Sequence, residues 1–122
     1  MERTEFELLV AEALDTLPGF IQEKMTNVKV LIEPNPSRQA LTRAGVPKGH
    51  TLLGLYQGIP LTSRTHHYGM VPPDTITLYQ HPIERAAGVA ENVPNVIRRT
   101  VMHEVAHHFG ISDDRLRELG AY

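Results

Sequence analysis

The chain of 122 residues contains no cysteine. Disulfides and thiolate ligands are therefore excluded, and any metal site has to be built from imidazole and carboxylate. No apolar run comes near the ~18 residues that a membrane span requires. The 12 Lys and Arg against 14 Asp and Glu include no long basic stretch that would follow a nucleic-acid backbone. Neither a membrane nor a nucleic acid is an expected partner. The opening residues, MERTEFELLV, are acidic and lack the basic-then-apolar plan of a secretory signal, so the expected location is cytoplasmic. Repeats and low-complexity segments are also missing. What remains is ordinary globular composition, 41% apolar and 21% charged, which predicts one domain over residues 1–122.

Apolar residues recur at helical spacing from Phe6 through Leu9, Val10, Ala13 and Leu14 to Leu17, and Pro18-Gly19 ends the run. Thr4 with Glu7 three residues on reads as a capping box, so a first helix is predicted over about Glu5 to Leu17. Val28, Val30 and Ile32 alternate with Lys29, Leu31 and Glu33 in a strand that Pro34 closes. Ser37 to Ala44 fits either a short helix stopped by Gly45 or an irregular loop. Leu52 to Gln57 reads as a strand, Gly58 as a turn, and Ile59 to Thr65 as its returning hairpin partner. The breaker-rich residues His66 to Asp74 predict a loop, and Thr75 to Tyr79 another strand.

Residues 81–92 look turn-like, with one helical turn at most. Asn92 and Pro94 open a helix that runs to Phe109, where Gly110 stops it, and a last short helix covers about Asp113 to Leu119. Its stripe of Val96, Ile97, Val101, Val105 and Phe109 is predicted to face the core. These elements predict an α/β (α+β) fold, with a small three- to four-stranded mixed sheet packed against the leading helix and the helix that ends at Phe109.

That helix carries the chemistry. In MHEVAHHFGISDD, Met102 to Asp114, His103 and His107 are four apart and present two imidazoles to one point. Such a pair is a two-pronged metal chelate. Glu104, rotated by about 100°, can take the proton of a water whose pKa zinc has lowered to roughly 7 and pass it to a leaving amine. A catalytic zinc usually has three protein ligands. In a continuous helix Asp113 would lie about 9 Å along the axis from His107 and about 120° off its face. A left-handed Gly110 ends the helix and turns the chain, which makes Asp113 the expected third ligand and Asp114 the fallback. His108, about 100° around from His107, is expected to pack or hydrogen-bond elsewhere. His66, His67 and Tyr68 form a polar loop cluster, and Arg64 is read as an ion-pair partner.

The pattern His103-Glu104-x-x-His107-x-x-Gly110-x-x-Asp113 resembles the zincin metallopeptidases. It is similar to the metzincin motif with aspartate in place of the third histidine, as in the snapalysin-like branch. More closely, the chain resembles a small bacterial family of minimal zincin-like metallopeptidases. The likeness extends through GIPLTSR (Gly58 to Arg64), DTITLYQHPIE (Asp74 to Glu84) and TVMHEVAHHFGISDDRL (Thr100 to Leu116). It departs from true metzincins in having no methionine turn, since none of the residues after Asp113 is Met.

The resemblance implies a compact zincin-like fold, a Zn2+ ion and peptidase activity on a peptide or protein substrate of unknown identity. A His, His, carboxylate set also suits Fe(II) oxygenases, and the position of Glu104 together with the resemblance favours zinc. The substrate is expected to lie extended along an edge strand, with Thr75 to Gln80 the candidate. Two alternatives are a zinc-binding structural or partner-binding protein without turnover, and an interaction module that binds no metal.

Overall fold

The computed structural model of the chain describes residues 1–59 and 72–120. The elements run α1 (Arg3–Asp15), α2 (Gly19–Lys24), β1 (Val28–Glu33), α3 (Arg38–Arg43), β2 (Gly54–Gln57) and β3 (Asp74–Tyr79). They continue with α4 (Gln80–Ala87), a 3-10 turn at Ala90–Asn92, α5 (Val93–His108) and α6 (Asp113–Glu118). The strands form a three-stranded mixed sheet in the order β1-β3-β2. β1 is parallel to β3, with Val28 opposite Asp74, and β2 is antiparallel to it, with Gly54 opposite Leu78. This is the α+β arrangement expected from the sequence.

The centre of the sheet is β3, buried at every position except the half-buried Thr75, as a strand covered on both faces should be. β1, at one edge, leaves Lys29 and Glu33 exposed. The expectation that Thr75 to Gln80 would offer an edge to a peptide is therefore corrected. Thr75–Tyr79 is bonded on both sides, and Gln80 already begins α4. β2 is the described edge strand on the side of α5.

α5 is held by a wide buried stripe that includes Val93, Val96, Ile97, Thr100, Val101 and Val105. It packs between α1, through Phe6, Val10 and Ala13, and the sheet, through Ile76 and Leu78. Ile97 is fully buried, so Ile97→Ala would cost about 2–5 kcal/mol in lost transfer energy and a residual cavity. Phe109 does not belong to this stripe, contrary to expectation. It lies past the last helical residue and is 44% exposed. Its ring instead meets Tyr56 and His108 edge-on, with Lys24 Nζ 4.9 Å from its centroid.

Other local expectations are also corrected. α1 starts at Arg3 after Glu2, without a side-chain cap. Thr4 therefore lies inside the helix, and Glu7 pairs with Arg3 at 3.1 Å instead of closing a capping box. α2 forms where no element was foreseen, anchored by the fully buried Ile21. Within 81–92 there is a true helix, α4. Pro82 lies in its first turn, where the missing N–H has no intrahelical acceptor to lose. α3 does form, with Ser37 Oγ accepting the Ala40 N–H. The hairpin return lies outside the described residues except for Ile59, which is not in a strand. Asp74 belongs to β3 rather than to the preceding loop. Among the described residues no helix is long and apolar enough to cross a membrane.

Candidate active site

The end of α5 is set by a glycine. Gly110 has φ 74°, in the left-handed region where a Cβ is penalised. Its N–H donates to His107 O at 3.2 Å, and the Ile111 N–H donates to Ala106 O at 2.8 Å. That pair of bonds is a Schellman stop. Two residues on, Ser112 Oγ accepts the Arg115 N–H at 3.1 Å and caps α6. Between stop and cap the chain reverses, and Asp113 returns alongside α5 with Oδ1 3.8 Å from His107 Nε2. Asp114 points the other way, 87% exposed, with Oδ1 3.3 Å from Arg117 Nη1.

His103 and His107 share a face of α5, their ring centroids 6.2 Å apart and their planes tilted by 34°. Among the described residues no three His, Asp or Glu donors are gathered closely enough to enclose an ion. Two observations nevertheless fit a zinc ion. Asp113 Oδ1 is buried and accepts no hydrogen bond, a condition that ordinarily costs about 1–3 kcal/mol. Its distance from His107 Nε2 is also close to the roughly 3.3 Å that separates two ligands at tetrahedral angles with bonds of about 2.0–2.1 Å. The donor set of two imidazoles and one carboxylate has the right chemistry.

Glu104 is half-buried and faces β2, where its Oε1 accepts the Tyr56 N–H at 3.2 Å. Burial pushes its pKa up, partly opposed by the Tyr56 N–H and by the charges of His107 and His103. A raised carboxylate is a better proton acceptor than a solvated one. Tyr56 is in turn fixed from its other end. Its hydroxyl donates to Asp74 Oδ2 at 2.8 Å, and Asp74 Oδ1 accepts the Ile59 N–H at 2.9 Å.

His108 stacks on the Tyr56 ring at 4.0 Å and brings Nε2 to 3.8 Å from Asp74 Oδ2. It therefore packs away from His107, as expected. Tyr56 and Asp74 were not foreseen from the sequence, although a carboxylate at the head of an apolar strand is a signal worth following. His66, His67, Tyr68 and Arg64 lie outside the described residues. A cleft of about 380 Å³ opens beside His103 and Glu104.

A family model described as zincin-like metallopeptidase matches residues 25–121, a span that contains β1 to α6 and every residue of the site. Among solved structures, a conserved hypothetical protein from T. thermophilus is similar over 89% of this chain and 94% of that chain. The identity is 22% and the TM-score 0.56, a likeness of fold. No curated protein matches the chain.

Proposed function

The chain belongs to the zincin-like metallopeptidase family, and on that footing we propose that it hydrolyses peptide bonds with a zinc ion held by His103, His107 and Asp113. The observation that carries the reading is Asp113 Oδ1, buried and without a hydrogen-bond partner 3.8 Å from His107 Nε2. Zinc, when bound, supplies Lewis acidity and lowers the pKa of water to about 7.

Glu104 handles the proton. Its carboxylate accepts one from the attacking water and returns it to the nitrogen of the leaving amine, so it ends the cycle ionised as it began. The Tyr56 N–H holds Oε1 at 3.2 Å and so orients the other oxygen. β2 is the described strand that borders Glu104, and a peptide reaching that carboxylate passes along it.

Glu104→Gln separates binding from chemistry. It keeps the Tyr56 contact through its amide oxygen and leaves the three proposed ligands in place. Zinc content should stay at that of wild type, while turnover of a degenerate peptide library falls by about 10²–10⁴-fold. Equal cleavage by the two proteins would remove Glu104 from the mechanism.

A further inference from the structure

Two adjacent arginines on α5 are used differently. Arg98 Nη2 donates to Thr16 O at 3.1 Å and ties α5 to the end of α1. Arg99 is exposed and makes no ion pair or side-chain hydrogen bond among the described residues. It stands one helical turn before His103, about 6 Å along the axis, on the wall of the cleft that reaches His103 and Glu104. The rest of that wall is mainly apolar, formed by Leu52, Leu53, Ala86 and Val96. The hydroxyl of Thr100 is already committed to Val96 O at 2.7 Å. Among the described residues Arg99 is thus the permanently charged cation lining the cleft, and Glu104, about 7.5 Å further along the helix, is the anion at its other end.

We propose that this cleft selects a peptide with a carboxylate about two residues from the bond to be cleaved, and that Arg99 is the counter-ion that selects it. The proposal rests on the peptidase reading above. The volume of about 380 Å³ falls within the roughly 300–1,000 Å³ of small-ligand sites, room for a side chain and its flanking backbone. Extended peptide advances about 3.3 Å per residue, so the offset between Arg99 and the His103–Glu104 end matches about two residues. Apolar walls receive an aliphatic stem, and the guanidinium fork receives the carboxylate in two parallel hydrogen bonds. Repulsion from Glu104 orients the carboxylate toward Arg99. Either an acidic side chain or the C-terminal carboxylate of a short peptide supplies this chemistry.

The test uses full-length Glu104→Gln protein, alone and combined with Arg99→Glu or Arg99→Lys, each checked for fold by circular dichroism. Degenerate heptapeptides, half ending in a free acid and half amidated, are equilibrated with each protein, and the retained peptides are sequenced by mass spectrometry. Retention should be enriched about tenfold for Asp and Glu at one position, or for the free-acid half, and these two results identify the source of the carboxylate. Arg99→Glu should reverse the preference toward Lys and Arg, and Arg99→Lys should keep its sign. An unchanged profile in Arg99→Glu, or no carboxylate enrichment in any protein, overturns the proposal. Wild-type protein is incubated with the same peptides in parallel. Retention that follows Arg99 without cleavage would support the cleft assignment and contradict the peptidase reading.

Discussion

Two histidines next to each other on α5 each approach an aspartate at the same distance, yet the two pairs differ in kind. His107 Nε2 lies 3.8 Å from Asp113 Oδ1, and His108 Nε2 lies 3.8 Å from Asp74 Oδ2. Asp74 is buried, and its two oxygens accept from Tyr56 Oη and Ile59 N. Asp113 has a half-exposed side chain whose Oδ1 is nevertheless shielded and accepts nothing. Distance alone does not separate a structural carboxylate from a candidate ligand. The hydrogen-bond account of each oxygen does, because a buried acceptor left unsatisfied persists only where something else offsets its cost.

The largest expected contrast is in metal affinity. Asp113→Ala should weaken zinc binding by more than the roughly 10–100-fold that supporting residues outside the ligand set are worth, and Asp74→Ala should weaken it by less than that. Competition with a chromogenic chelator measures both. Stability of the metal-free proteins should run in the opposite order. Asp74→Ala leaves the Tyr56 hydroxyl and the Ile59 N–H without this acceptor, at about 1–3 kcal/mol for each buried group, whereas Asp113→Ala removes an unsatisfied oxygen and should be neutral or slightly stabilising. Urea denaturation in the presence of a chelator reads the two together. If Asp113→Ala is the more destabilising, its oxygen has a structural role.

A smaller effect is expected where β2 meets α5. A Cβ added at Gly54 would lie 2.8 Å from Thr100 Cγ2 and 3.2 Å from Thr77 O, with a β-branched side chain on one side and backbone on the other. Gly54→Ala should cost about 1–3 kcal/mol by overpacking. It should also shift β2 away from Glu104, which the amide resonance of Tyr56 would report by NMR. The smallest effect belongs to Asp114→Ala, which removes only an exposed contact to Arg117 and should change stability by less than about 0.5 kcal/mol and leave zinc affinity unchanged.

What could be read from the sequence is local in origin. The spacing of Val96, Ile97, Val101 and Val105 announces a buried helical face, and Gly110 announces both the end of that helix and the turn that brings Asp113 back. Pro82 hid α4, because a proline reads as a breaker unless the position of the first turn is already known. Phe109 was misplaced for a related reason, since helical periodicity carries one residue past the point where the glycine stop changes the chain direction. The hold of Tyr56 on Glu104 and of Asp74 on Tyr56 depends on the pairing of β2 with β3 and on their packing against α5. Those contacts span 48 and 18 residues, and no pattern within a single element encodes them. Arg99 was invisible for the same reason. Its neighbour Arg98 has the same side chain, and only the packing shows which of the two is tied to α1 and which lines the cleft.

The most direct test of the central claim is the zinc content of protein purified without added metal or an affinity tag, for wild type and Asp113→Ala under identical conditions. The account predicts about one zinc per chain in wild type and a large loss in the variant. Equal zinc in the two proteins, or none in wild type, would contradict it.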